Sequence, residues 1–229
     1  MKRSATTARR KATAILERLE REYGPREWSP SGPAVDVLVG TILSQNTSAA
    51  NSTAGFQNLK ERFSDWDAVA EASVPAIERA IRVSGLSRIK APRIRSILRG
   101  IRGERGSIDL EFLADLPVEE ALERLVAFKG VGPKTALCVL LFSFGKPAFP
   151  VDTHVHRVSR RLGLLLEDTP AERAHEELTP LIRPDNRYAM HLLLITHGRT
   201  VCRARNPRCS GCTLLSLCQF GKDRRARAS

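Results

Sequence analysis

Hydrophobic positions recur at helical spacing along nearly the whole chain, and no segment alternates with period two. The clearest stripe falls at positions i, i+3, i+4 and i+7: Ile94, Ile97, Leu98 and Ile101. Pro92 suits the first turn of that helix, and Gly103 the position just past its end. The pattern therefore predicts an all-α protein of about nine or ten helices joined by short loops.

Capping signals set further boundaries. An amphipathic N-terminal helix should end at Gly24, and residues 118–127 and 134–144 should each form a helix. Thr169 and Glu172 match a capping box at the start of another. A late helix should run from about residue 185 to 197, with Gly198 as its C-terminal stop.

The segment between the helices at 118–127 and 134–144 contains Gly130-Val131-Gly132. Two glycines around an apolar residue form a tight turn whose backbone can approach a phosphate, beside the N–H groups of the next helix. A nucleotide-binding P-loop is excluded, because Phe128 and Pro133 occupy its glycine positions and no strand precedes it. A plain packing corner with a glycine C-cap stays open.

Two residues after this turn could carry chemistry. Lys134 lies in the first turn of the second helix, where its amine is a candidate Schiff-base nucleophile or a phosphate contact. Asp152 opens a later helix, where a carboxylate can act in catalysis or simply as an N-cap.

The net charge of the chain indicates which class of partner the protein binds. The 229 residues carry a formal net charge of +12, which favours nucleic acid, and residues 82–105 hold eight basic side chains against one acid. With 5% aromatic residues, platforms that stack single strands are disfavoured. The absence of a long apolar run or an apolar leader predicts a cytoplasmic, nucleoid-associated protein without membrane contact, although the basic first 16 residues also fit an organellar transit peptide.

Four of five cysteines are clustered near the C-terminus, with six, two and five residues between them: Cys202, Cys209, Cys212 and Cys218. This clustering favours a metal site over disulfides, and the spacing alone suits either tetrahedral zinc or a four-cysteine iron–sulfur cluster. Cys138 lies on an apolar helix and is predicted to be core.

Three motifs occur in order: Gly130-Val131-Gly132-Pro133-Lys134-Thr135-Ala136, Val151-Asp152-Thr153-His154 and the four cysteines. Together they resemble the endonuclease III family of helix-hairpin-helix DNA glycosylases. The resemblance implies a two-lobed all-α fold with the active site between the lobes. It places a six-helix lobe at residues 25–146, and a second lobe at residues 1–24 and 147–229 with a [4Fe-4S] loop at 202–218.

The resemblance also implies roles. Lys134 would attack C1′ of a damaged nucleotide, Asp152 would activate it and stabilise the cationic sugar, and the four cysteines would bind the cluster. Monofunctional relatives lack the lysine, so the expected activity is removal of oxidised pyrimidines from duplex DNA followed by cleavage at the abasic site. The expected DNA contacts, from the family's positions and from the basic segment, are Gln45, Leu86, Gly130, Gly132, His154, Arg88 and Lys90.

Alternatives stay open at this point. A mismatch-specific thymine or uracil glycosylase of the same superfamily would carry similar motifs. A non-catalytic helix-hairpin-helix DNA-binding module with a structural zinc site is the alternative of another class. The expected partner is double-stranded DNA with a damaged base or an abasic site, and the expected state is a monomer.

Overall fold

The computed structural model describes residues 5–166 and 168–226, and within them it contains helices and turns but no strand, which confirms the all-α prediction. The α-helices are α1 (Ala5–Tyr23), α2 (Ala34–Leu43), α3 (Ala49–Arg62), α4 (Trp66–Glu71), α5 (Val74–Ala80), α6 (Ser87–Arg105), α7 (Val118–Ala127), α8 (Pro133–Phe144), α9 (Thr153–Leu162), α10 (Ala174–Leu178), α11 (Arg187–Thr200) and α12 (Gln219–Ala226). The described residues thus form more helices than predicted, because elements as short as α10 hold too few apolar positions to show a period.

The chain divides into two compact units. We call Pro30–Lys146 the hairpin unit, and Met1–Ser29 together with Pro147–Ser229 the cysteine unit. Among the described residues the hairpin unit holds seven α-helices, α2 to α8, where the family resemblance implied six.

The core of the hairpin unit lies on the apolar faces of α2, α6 and α8. The predicted stripe of α6 from Ile94 to Ile101 is buried, and residues 135–141 of α8 are buried on every face. An α-helix that is apolar all round belongs inside a domain. This burial fixes the start of α8, and with it Lys134, against the core.

The cysteine unit is built on α1, α9 and α11. Ile15 and Leu19 of α1, Val155 and Val158 of α9, and Leu193 of α11 share one buried cluster. The side chains of Cys202 and Cys212 pack at the edge of that cluster, so the cysteine loop is continuous with the core of this unit. No helix in the described ranges is both long and apolar enough to cross a bilayer.

Four boundary predictions are wrong for identifiable reasons. Helix α6 begins at Ser87, so Pro92 lies inside the helix rather than in its first turn. Helix α6 continues past Gly103 and ends at Gly106, whose φ of +79° is the left-handed conformation of a C-cap. Gly198 lies inside α11, where a Cβ would be 3.0 Å from the Cβ of His154, so glycine permits close packing on α9 rather than ending the helix. The Thr169 hydroxyl donates to the Glu177 carboxylate at 3.1 Å instead of capping a helix at Glu172.

Candidate active site

The turn between α7 and α8 is a tight hairpin. Val131 is buried, and its N–H donates to the Phe128 carbonyl at 2.9 Å. Gly130 has a φ of +102°, and a Cβ there would be 2.9 Å from the Cγ of Arg93. Gly132 has an ordinary φ of −93°, and a Cβ there would meet no protein atom within 4 Å. The fold therefore requires glycine at 130, whereas the space at 132 is open to a group from outside the chain.

We expect Gly130→Ala to lower the free energy of unfolding by about 1–3 kcal/mol, because an L-residue is strained at this φ and the methyl group collides with Arg93. Gly132→Ala is the matched control and should leave stability nearly unchanged. Urea denaturation of both variants measures the difference. Equal stabilities for the two variants would show that the hairpin does not depend on the left-handed turn.

The hairpin carries two lysines in different settings. Lys134 is half-buried as the second residue of α8, directly after Pro133, whereas Lys129 is exposed in the turn. The predicted nucleophile is therefore half-buried in the first turn of a helix, whereas the neighbouring lysine lies in the exposed turn.

Gln45 and Leu86, the residues predicted to enter the DNA stack, lie on two loops of the hairpin unit. Gln45 follows the end of α2, and its Oε1 accepts a hydrogen bond from Nη1 of Arg93 at 3.0 Å. Leu86 is 48% exposed and sits at the N-cap of α6 with a φ of 49°. A left-handed leucine is uncommon and strained, and such residues cluster at functional sites.

Leu86 is part of a wider apolar surface that sequence reasoning missed. Val83 and Ile89 are also exposed, at 40% and 55%. Their spacing of three residues on each side of Leu86 was visible in the sequence, but their exposure was not. An exposed apolar cluster at a turn fits a wedge between bases.

The prediction that Lys90 contacts DNA phosphate is wrong. Lys90 is only 2% exposed, and its Nζ donates to the carbonyls of Leu43 and Ser84 at 2.7 and 2.8 Å. Burial lowers the pKa of its ammonium group. Arg88 is on the surface, as a phosphate contact would need, with Nε 3.6 Å from Oε1 of Glu78.

The rest of the basic segment is also less available than its charge suggests. Arg95 and Arg99 donate to the Ala70 carbonyl, and Arg99 and Arg102 pair with Glu71 at the end of α4. Since these arginines hold α4 against α6, they contribute less to phosphate binding than a simple count of charges predicts.

In the cysteine unit, Asp152 is the N-cap of α9. Its Oδ1 accepts hydrogen bonds from the backbone N–H groups of His154 and Val155, at 2.8 and 2.7 Å. Asp152 therefore caps α9, as one of the two interpretations of the sequence predicted. The cap fixes the orientation of the Asp152 carboxylate at the positive end of the helix. His154 is half-buried, with Nδ1 3.1 Å from Nη2 of Arg157, and burial is the main cause of its lowered pKa.

The four clustered cysteines line one small cavity. Arg161 Nη1 donates to Cys202 Sγ at 3.4 Å, and the Gly221 N–H donates to Cys218 Sγ at 3.4 Å. The guanidinium of Arg161 also stacks on Phe220, 4.5 Å from the ring centroid. Hydrogen bonds to sulfur are the outer contacts that orient thiolate ligands.

Burial raises the pKa of Cys212 to about 11 and also raises that of Cys218, and the other cysteines of the set add to both effects. His197 is buried, and its pKa is lowered to about 4, so its ring is neutral at pH 7. It lies between Tyr23 Oη, 3.0 Å from Nδ1, and Cys212 Sγ, 3.5 Å from Nε2. The thiols of Cys212 and Cys218 therefore resist ionisation, and a bound cation favours their thiolate forms.

The structure gathers the predicted residues into two groups. Gln45, Leu86, Gly130 and Lys134 belong to the hairpin unit, and Asp152, His154 and the cysteines belong to the cysteine unit. Among the residues that the structure describes, no group of three or more His, Cys, Asp or Glu side chains has the arrangement of a metal-ion site.

Comparisons with known proteins identify the family of this chain. The profile of the family described as "HhH-GPD superfamily base excision DNA repair protein" matches residues 39–184. Endonuclease III of Thermotoga maritima is 35% identical over 213 residues, which cover 92% of this chain and 95% of that protein. A protein of Arabidopsis thaliana named for DNA glycosylase activity is 42% identical over 165 residues, and the match spans 72% of this chain but 56% of that protein.

Among solved structures, a non-covalent complex of endonuclease III with DNA superimposes with a TM-score of 0.80 at 27% identity. The match covers 95% of this chain and 98% of that one.

Proposed function

Because the chain belongs to the endonuclease III family of the HhH-GPD superfamily of base excision DNA repair proteins, we propose that it is a bifunctional DNA glycosylase and AP lyase acting on oxidised pyrimidines in duplex DNA. The observation that carries the proposal is Lys134, an amine half-buried on a rigid helix directly after the hairpin. A glycosylase that only hydrolyses the N-glycosidic bond needs no amine nucleophile, so an amine at this position supports the lyase step.

The proposed reaction begins at C1′ of the damaged nucleotide. The amine of Lys134 attacks C1′ as the N-glycosidic bond breaks, and the proton that the amine gives up passes to the departing base. Positive charge develops on the sugar, and the Asp152 carboxylate stabilises it. Opening of the sugar ring gives a Schiff base between Nζ and C1′. Loss of a C2′ proton then breaks the C3′–O bond, and the 3′ phosphate is released.

The base must leave the duplex before this chemistry can start. The exposed apolar residues Val83, Leu86 and Ile89 supply a wedge, and Gln45 supplies a polar side chain for the orphaned partner base. Phosphate contacts come from Arg88 and from the hairpin backbone at Gly132, while His154 faces the DNA in the same proposal. The protein would act as a cytoplasmic monomer on damaged or abasic duplex DNA.

Base release from two duplexes tests the substrate class. One duplex carries a single thymine glycol opposite adenine, and the other carries a G·T mismatch in the same sequence. We expect excision from the first duplex with strand cleavage, and no excision from the second. The reverse preference would support a mismatch-specific glycosylase. Tight binding of both duplexes with neither base released would support a non-catalytic DNA-binding module.

The four cysteines fit a [4Fe-4S] cluster by their donor chemistry. All four are outside disulfides and line one cavity, and two of them accept hydrogen bonds, Cys202 from Arg161 and Cys218 from Gly221. Four thiolates from one short loop are the ligand set of such clusters. In this proposal the cluster is held by Cys202, Cys209, Cys212 and Cys218. It would anchor the loop that carries the exposed residues Arg203, Arg205 and Arg208.

If the cluster is bound, we expect anaerobically purified protein to contain four iron atoms per chain and to absorb broadly at about 400 nm. Cys212→Ser should lose most of that iron and absorbance, whereas Cys138→Ser, in the core of the hairpin unit, should keep both. Iron analysis and absorption spectra measure the outcome. Stoichiometric zinc with no iron in the wild type would contradict the proposed cluster.

A further inference from the structure

Lys90 joins the two loops that carry Gln45 and Leu86. Its Nζ donates to the carbonyl of Leu43, the last residue of α2, at 2.7 Å, and to the carbonyl of Ser84 at 2.8 Å. Gln45 lies two residues after the first carbonyl, and Leu86 lies two residues after the second. One ammonium group therefore links the backbones of both loops immediately before the residues proposed to enter the DNA.

Arg93 makes a second link one turn further along α6. Its Nη1 donates to Gln45 Oε1 at 3.0 Å, and its Cγ occupies the space beside Gly130 where a side chain would collide. Lys90 and Arg93 are three residues apart and so share one face of the helix. That face meets the Gln45 loop, the Leu86 loop and the hairpin.

The Leu86 loop is also fixed from the side of α3. Ser84 is fully buried, and its hydroxyl donates to the Asn51 carbonyl at 3.3 Å. A Cβ on Gly55 would be 1.8 Å from Ser84 Oγ, so glycine lets α3 approach the loop closely. The segment that ends in the strained Leu86 is thus held at Ser84 from two directions, and Lys90 supplies the tie that also reaches the Gln45 loop.

A buried ammonium group is unfavourable unless hydrogen bonds compensate its desolvation. Burial lowers the pKa of Lys90, and the carbonyls of Leu43 and Ser84 are the hydrogen-bond partners of its ammonium group. Lys146 provides a comparison within the same unit, because its Nζ also donates to two carbonyls, those of Ala114 and Leu116, at 2.8 and 2.6 Å. The carbonyls that Lys146 joins belong to neither of the two loops.

We propose that Lys90 is a positioning residue that holds the Gln45 and Leu86 loops in register, so that both side chains enter the duplex together when the damaged base leaves. The inference rests on the proposed glycosylase function. In this account Lys90 does not contact DNA. It contributes to the rate of excision only when the damaged base must be separated from a partner base.

The test compares Lys90→Met with Lys146→Met, since each removes one lysine that bonds two carbonyls. The first measurement is hydrogen exchange of the backbone amides in residues 43–48 and 83–88. The second is single-turnover excision of thymine glycol placed opposite adenine or opposite an abasic spacer, where no partner base has to be separated. If Lys90→Met does not fold, Lys90→Gln, which keeps an amide donor, replaces it.

We expect Lys90→Met to exchange faster in both loops and to slow excision opposite adenine by about 10- to 100-fold, with a much smaller loss opposite the spacer. Lys146→Met should exchange normally in both loops and keep the wild-type ratio between the two duplexes. Unchanged exchange in either loop, or equal losses on both duplexes, would overturn the proposal. A wild-type protein inactive on both duplexes would instead overturn the proposed function, and the exchange data would still decide whether Lys90 ties the loops.

Discussion

Asp152→Asn is expected to lower the single-turnover rate of base excision by about 10²- to 10³-fold while leaving thermal stability nearly unchanged. Asparagine keeps the Oδ1 acceptor that caps α9 through the N–H groups of His154 and Val155. It removes the negative charge that would stabilise the cationic sugar. The substitution thus separates the two roles that a capping aspartate at this position combines.

Asp65→Asn is the matched control, because Asp65 is also an N-cap whose side chain accepts from a backbone N–H, that of Ala68 at 2.7 Å. It should keep both the wild-type excision rate and a similar stability. Asp152→Ala would lose the cap as well as the charge and should unfold at a lower temperature. Excision by Asp152→Asn at the wild-type rate would show that Asp152 serves the helix alone.

Lys134→Gln should abolish the lyase step. We expect cleavage at a preformed abasic site to fall by about a thousand-fold or more, because an amide forms no Schiff base. The remaining polar side chain keeps the first turn of α8 solvated, so the fold and binding of the duplex should persist. Gel analysis of strand cleavage, with binding measured in parallel, gives the result.

Lys129→Gln is the control for this lysine, since Lys129 lies in the same hairpin but is exposed. It should keep full lyase activity and bind the duplex slightly more weakly in low salt. If Lys129→Gln lost strand cleavage and Lys134→Gln kept it, the nucleophile would be Lys129, which contradicts this account.

Much of the fold follows from helical periodicity. The stripe of α6 and the bounds of α7 could be read from the chain, because amphipathic helices of ten or more residues repeat their pattern several times. The same pattern also indicates that Lys90 is buried, whereas the count of basic residues suggested that it contacts DNA. Lys90 lies four residues before Ile94 and seven before Ile97, and so falls on the buried stripe rather than on the solvated face.

Other features depend on contacts that local sequence does not encode. The pairing of Arg99 and Arg102 with Glu71 joins residues about 30 positions apart, and it removes basic charge that composition assigned to DNA binding. The left-handed turn at Leu86 lies two residues after Ser84, whose carbonyl accepts from Lys90 and whose hydroxyl donates to Asn51. Gly103 and Gly198 are glycines that do not end their helices. At Gly198 the missing side chain permits close packing on α9, and α6 ends instead at Gly106, where φ is +79°.

The most direct test of the central claim is trapping with borohydride on a duplex that carries one thymine glycol, followed by peptide mapping of the adduct. Reduction of a Schiff base turns it into a stable amine, so a protein–DNA adduct should form with DNA attached at Lys134. No adduct from protein that binds the duplex, or an adduct attached at Lys129, would contradict the account.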